Sequence, residues 1–263
     1  MNNENVRYRK RYFRIIPMTT IIGVKCENGI VIGSDSQLTI ESINPTKQLD
    51  FNKIYRIGNM LIACAGDTEY FEKLKNEIYK RIKLKFKNIQ ELIDIVEASV
   101  KYIHDNYPNQ NDCISEIIFG ISIECELYLY RIYSYHCYAL EINNFYTTGS
   151  GGVFAEYILR RVWDDNLKTT DAFCILSYVI NETTKIDQYS NSPIKLVMIR
   201  KNGNIYPISK KDIEKLIVEL SGIDEIMAKL LRESMLDTGL LKITKNKIIL
   251  EFNKIKNGRQ KEI

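Results

Sequence analysis

Residues 19–39, TTIIGVKCENGIVIGSDSQLT, place two β-rich apolar runs, TTIIGVKC and IVIGSDS, on either side of Glu27-Asn28-Gly29. β-branched side chains restrict their own rotamers and suit a pleated surface, and Asn-Gly between two such runs is a strong short-range signal for a tight turn. A β-hairpin that begins at Thr19 is therefore the anchor of the fold reading.

Outward from that hairpin the chain alternates in blocks. After a polar loop through Asn44-Pro45, KIYRI (53–57) and MLIACAG (60–66) predict a second strand pair turned at Gly58-Asn59. Two helices follow, one over 68–84 with Phe71, Leu74, Ile78 and Ile82 at helical spacing, and one over 88–107 with Leu92, Ile95, Val96 and Val100. SEIIFGISI (115–123), ELYLYRIY (126–133) and HCYALEI (136–142) predict three strands; helices over 151–163 and 170–184 then precede a last core strand, PIKLVMIR (193–200). Blocks of strands and helix pairs, rather than a βαβ alternation, predict two sheets packed face to face with helices outside them. From about Ile208 helix formers dominate, and two amphipathic helices plus a KITKNKIILEF hairpin form an appendage.

Charge narrows the function classes. Residues 1–17 carry Arg7, Arg9, Lys10, Arg11 and Arg14 against Glu4, an excess of four that equals the net charge of the whole chain. The remaining body is neutral, which argues against nucleic acid as a partner. No apolar run has the length of a membrane span, so no membrane partner is expected. The basic N-terminal stretch has no apolar segment behind it, which speaks against secretion. Cys26, Cys64, Cys113, Cys125, Cys137 and Cys174 lack metal-ligand spacing and read as buried thiols of a reducing cytoplasm. With only His104 and His136 there is little material for a Ser-His-Asp triad or a histidine-rich metal centre, and neither metal nor cofactor is expected.

Four segments in order carry a family resemblance. TTIIGVKCENGIVIGSDSQLT resembles the start of a mature proteasome β subunit and of the bacterial HslV peptidase; FNKIYRI and LIACAGDTEY resemble that family's lysine segment and its Ala-Gly turn; GSGG (149–152) and DQYSNSPIKLVMI (187–199) complete the set. Gln37, where proteasome subunits usually have arginine, and GSGG lean towards HslV, whereas DQYSNSP has the proteasomal form. The resemblance covers Thr19 to Ile199. It implies an α+β, four-layer αββα sandwich of the N-terminal nucleophile (Ntn) hydrolase kind over 19–207, a leader or propeptide over 1–18, and a helical C-terminal extension over 208–263. It also implies a threonine peptidase in a homo-oligomeric ring that takes unfolded proteins or peptides, served by an ATP-dependent unfoldase or a proteasome α-type ring.

The chemistry of the residues agrees with that implication and leaves bland alternatives beside it. A threonine hydroxyl needs a base, and an N-terminal threonine carries one in its own α-amino group, with a pKa of about 7.7–8.0. Thr19 supplies both only once the Met18-Thr19 bond is cut; otherwise it is a β-branched strand residue. Proteasomal precursors that process themselves usually have glycine, not methionine, before that threonine. Translation from Met18 with removal of the initiator, or cleavage of a true leader, would expose Thr19; an uncut chain would be inactive. By the resemblance, Lys53 stands beside the nucleophile and Asp35 holds that lysine, although a solvated lysine and a turn-capping aspartate are the alternatives. Ser150, Asp187 and Ser190 match the family's supporting cluster, against a helix N-cap and a polar loop. Gly66 matches the family glycine whose N–H faces the oxyanion, and its alternative is a turn. Cys64 falls at the floor of the family's substrate pocket, where strand packing is the commoner fate of a cysteine. The rival functions are an inactive structural subunit of the same fold and an Ntn amidohydrolase acting on small amides.

Overall fold

The computed structural model describes residues 18–40, 46–48, 50–82, 86–107 and 115–222. The sequence reading of residues 1–17, of Cys113 and of the helix and hairpin after residue 222 falls outside the described residues. The chain divides into two compact units, Met1–Ile213 and Glu214–Ile263; the described part of the second, residues 214–222, is helical.

Within the first unit, β1 (Ile21–Cys26) and β2 (Gly29–Ser34) form the expected hairpin, paired antiparallel from Cys26↔Gly29 to Ile21↔Ser34. A short pair, β3 (Leu38–Ile40) and β4 (Thr46–Gln48), occupies part of the stretch read as a polar loop. β5 (Ile54–Ile57) and β6 (Met60–Ala65) pair across Gly58-Asn59 as the sequence predicts. The helices α1 (Thr68–Ile82) and α2 (Ile89–Asp105) follow, then β7 (Glu116–Ile123), β8 (Glu126–Tyr133), β9 (Ala139–Glu141) and β10 (Phe145–Thr148). The chain continues through α3 (Gly152–Val162), α4 (Thr169–Ile186), β11 (Lys195–Arg200) and β12 (Ile205–Pro207).

Two five-stranded antiparallel sheets result, ordered β10-β1-β2-β11-β12 and β5-β6-β7-β8-β9. The apolar runs of β1 and β2 are continuous rather than alternating because both faces of their sheet are covered. One face packs on the second sheet through Ile21, Ile30 and Ile32 against Leu61, Ala63, Ile118 and Leu129. The other lies under α4, whose Ile180, with Leu196 of β11, approaches Gly33 so closely that a Cβ there would lie 2.8 Å and 2.5 Å from them. The far face of the second sheet takes Leu74 and Ile78 of α1 with Leu92, Val96 and Val100 of α2. The layers are thus helices, sheet, sheet, helices: the αββα sandwich of a proteasome-like Ntn fold.

Several local readings need correction. The turn of the first hairpin is Glu27-Asn28, and neither residue has positive φ. Gly29 is instead needed for close approach, since a Cβ would lie 2.3 Å from the Ile199 carbonyl oxygen on β11. The mirror-image turn that Asn-Gly favours occurs between β7 and β8, where Glu124 and Cys125 have φ of 51° and 66° without a glycine. Cys125 is therefore exposed rather than buried, and Cys137 and Cys174 are half-buried. On α2, Ile93 rather than Ile95 completes the fully buried stripe.

Candidate active site

The hairpin register builds the first half of the site. Each step out from the turn keeps β1 and β2 in pairs, so Thr20 and Asp35 face each other beyond the last strand pair, with Asp35 N donating to Thr20 O at 3.1 Å. Asp35 is fully buried, and its carboxylate is saturated. Oδ1 accepts from Thr19 Oγ1 (2.6 Å), the Thr20 amide (2.9 Å) and Lys53 Nζ (2.6 Å); Oδ2 accepts from the amides of Gln37 (2.9 Å) and Asn191 (3.2 Å). Five donors thus converge on one buried carboxylate. Lys53 arrives because the chain before β5 is tied to the same loop, Phe51 N donating to Ser36 O at 2.9 Å. Its ammonium donates both to Asp35 and to Thr19 Oγ1. Burial pushes the Lys53 pKa down from its ordinary 10.5, and the neighbouring Asp35 charge opposes that shift.

The second half comes from the turn after β10 and the end of α4. Gly149 has φ of 89°, and a Cβ on it would lie 2.1 Å from Thr19 O; a Cβ on Gly151 would lie 1.9 Å from Thr20 Oγ1. GSGG is glycine-rich because this turn is pressed onto the Thr19-Thr20 backbone, with Gly151 N donating to Thr19 O at 3.1 Å. Between the glycines, Ser150 Oγ accepts from Thr19 N at 3.2 Å and donates to Asp187 Oδ2 at 2.8 Å. Gly151, not Ser150, occupies the N-cap of α3, so the capping alternative for Ser150 is not what the structure shows. Asp187 caps the C-terminus of α4 and also accepts from Ser190 Oγ at 2.6 Å.

Thr19, Asp35, Lys53, Ser150, Asp187 and Ser190 are thus brought together from five separated segments. Thr20 belongs with them and was not singled out by the sequence reading: it is fully buried, and its Oγ1 lies 2.7 Å from Ser190 Oγ. The threonine pair itself was the available signal, because a second β-branched residue with a hydroxyl satisfies both strand and network. Gly66 follows the end of β6 with φ of 138°, a backbone that side chains strain to adopt. Cys64 is buried among residues packed towards α1 and α2. A cavity of about 570 Å³ opens elsewhere, between β5 and the β11–β12 edge, lined by Ile54, Leu61, Leu196, Val197 and Ile205.

Comparison with known proteins places the chain in a family. A family model described as proteasome subunit matches residues 18–199, beginning one residue before Thr19. The chain belongs to the proteasome subunit family. A proteasome subunit beta of Nanoarchaeum equitans is 26% identical over 205 residues, spanning 77% of this chain and 98% of the relative. Human proteasome subunit beta type-8 is 23% identical over 206 residues, 76% of this chain and 71% of that protein. Among solved structures, Anbu, described as an ancestral beta-subunit, from Yersinia bercovieri superposes with a TM-score of 0.68 at 14% identity, covering 80% of this chain and 97% of that one. Anbu from Hyphomicrobium gives 0.67 at 17% identity with the same coverage. These structures share the fold. Among the described residues, no helix is long and apolar enough to cross a membrane.

Proposed function

We propose that this proteasome-family chain is a threonine-type endopeptidase whose nucleophile is Thr19, active once the preceding residues are removed. The observation that carries the reading is that Lys53 Nζ and Asp35 Oδ1 both contact Thr19 Oγ1 in a buried site, while Ser150, braced by Asp187, contacts the Thr19 main-chain nitrogen. Asp35 compensates the buried Lys53 charge, so what supports the catalytic reading over a structural one is that the same ammonium also donates to the Thr19 hydroxyl.

In the intact chain, Thr19 N is an amide and cannot accept a proton. After cleavage it becomes an amine. Thr19 Oγ1 then attacks the substrate carbonyl carbon, and its proton passes to that amine. Lys53 stabilises the developing negative charge on Oγ1 and disfavours a second positive charge on the amine. Gly66 N–H is the proposed donor to the carbonyl oxygen as it becomes an oxyanion. Collapse breaks the C–N bond, the protonated amine returns its proton to the departing nitrogen, and an ester on Thr19 remains. Water, activated by the same amine, hydrolyses that ester and regenerates the hydroxyl.

Membership of the family supports a wider proposal. Residues 1–18 act as a leader and 208–263 as a C-terminal extension, and Cys64 belongs to the floor of the pocket for the substrate side chain. The peptidase works in the cytoplasm as a ring, and an α-type ring or an ATP-dependent unfoldase feeds it unfolded chains. Thr19→Ala should abolish hydrolysis of short fluorogenic peptides and leave the protein folded, with a melting temperature lowered by no more than about 12 °C, since the two charge-assisted hydrogen bonds lost are worth roughly 3 kcal/mol together. Undiminished turnover in that variant would remove Thr19 from the role of nucleophile.

A further inference from the structure

The turn that carries Ser150 is anchored from one unexpected side. Thr148, the last residue of β10, pairs with Ile21 two residues after the candidate nucleophile, and its hydroxyl donates to Glu116 Oε2 across the gap between the two sheets. Glu116 opens β7 of the second sheet and is opposite Ala65 at the end of β6. A polar chain is attached to the same carboxylate oxygen. Tyr146 OH donates to Glu116 at 3.3 Å, Tyr133 OH lies 2.7 Å from Tyr146 OH, and Arg131 donates to Tyr133 OH at 3.1 Å. Arg131 also lies over the Tyr146 ring, 4.4 Å from its centre. Burial, then the Tyr133 bond, then the Glu116 charge push the Tyr146 hydroxyl well above its ordinary pKa, so it stays protonated as a donor.

These residues lie outside the cluster assembled around Thr19, yet they converge on β10, two residues before Ser150. The turn from Gly149 to Gly152 sits against the Thr19 backbone with no room for side chains at Gly149 or Gly151. A shift of the end of β10 therefore moves Ser150 relative to Thr19 N. We propose that Glu116 is a positioning residue of this site: from the opposite sheet it clamps Thr148, and through it sets the distance between Ser150 and the Thr19 amine. The inference rests on the peptidase reading for its catalytic consequence, but the clamp itself has a consequence independent of activity.

Two measurements on full-length protein and its Thr19-starting form separate these. Hydrogen exchange of the segment 147–152 should be faster in Glu116→Ala and in Thr148→Val than in wild type, because the Gly151 N–H bonded to Thr19 O is released more often. Acylation of Thr19 by a β-lactone, followed by intact mass and peptide mapping, should slow about tenfold in Glu116→Ala, the loss expected for one charge-assisted hydrogen bond. Glu116→Gln, which keeps an acceptor and the side-chain shape, should lose less. The acid limb of the acylation rate should move to lower pH in Glu116→Ala, because Ser150, as an acceptor, favours the protonated amine and is displaced. A lowered melting temperature with unchanged exchange at 147–152 would overturn the clamp. Faster exchange with an unchanged acylation rate and acid limb would overturn its catalytic role. Wild-type protein that acylates elsewhere than Thr19 would overturn the peptidase reading and that role together, while leaving the exchange result to judge the clamp.

Discussion

Lys53 is the residue whose replacement should be felt in both stability and chemistry. It is 5% exposed and its partner Asp35 is fully buried, so Lys53→Ala leaves a carboxylate in the core without its cation. Breaking one side of a buried pair typically costs about 3–5 kcal/mol. Asp35 keeps the amides of Thr20, Gln37 and Asn191, which places the loss near the low end, about 3 kcal/mol. For a folded unit of this size that corresponds to a fall of about 6–12 °C in melting temperature. Peptidase activity per folded molecule should fall by at least about a hundredfold, the usual effect of removing one preorganised donor from a developing oxyanion. Lys53→Arg should recover part of the stability and little of the activity, because a planar guanidinium cannot converge on Thr19 Oγ1 and Asp35 Oδ1 as a compact ammonium does. Calorimetry together with fluorogenic-peptide turnover measures both. A Lys53→Ala protein that melts within about 2 °C of wild type, or a Lys53→Arg protein within about threefold of wild-type turnover, would refute the reasoning.

Gly151→Ala should abolish activity even though the substitution adds one methyl group, because that carbon would overlap Thr20 Oγ1 and crowd Thr183; retained turnover would show that the turn moves freely. Thiol alkylation of the native protein at about pH 8 should modify exposed Cys125 and spare Cys26, whose pKa is pushed up to about 12 by burial and by Asp171. Rapid labelling of Cys26 would contradict its packing. Lys53 also links stability to pH. Its folded-state pKa is lowered, so the unfolded chain binds the extra proton, and stability rises with pH from that lowered value towards 10.5. The melting temperature of wild type relative to Lys53→Met should therefore climb as pH rises towards the ordinary lysine value of 10.5, and a flat difference would argue against a depressed lysine.

How much of this was legible differs by element. The β1–β2 hairpin was readable because β-branched residues, apolar continuity and a polar turn all agree, and its register alone brings Asp35 beside Thr20. The amphipathic stripes of α1 and α2 were readable because their apolar residues recur at helical spacing. β10 and β12 were not, since FYTT and IYP are too short for a period to show and become strands through pairing with β1 and β11. The Glu124-Cys125 turn carries no glycine or asparagine, so its left-handed backbone has no local signal and is imposed by the ladder between β7 and β8. At the site, the residues in family motifs could be named from the chain. Glu116 could not be chosen over other glutamates until its partners, distant in sequence, were in place, and Thr20 was signalled only by standing next to Thr19.

The central claim is that Thr19 acts as a nucleophile only when it is the first residue. It is tested most directly by mixing preparations of known N-terminal composition with a β-lactone and mapping the adduct by mass. The account predicts one ester per chain, on Thr19, in the chains that begin there, and none in chains that retain the preceding residues. An adduct on full-length chains, or full-length chains that hydrolyse peptides while remaining intact, would contradict it.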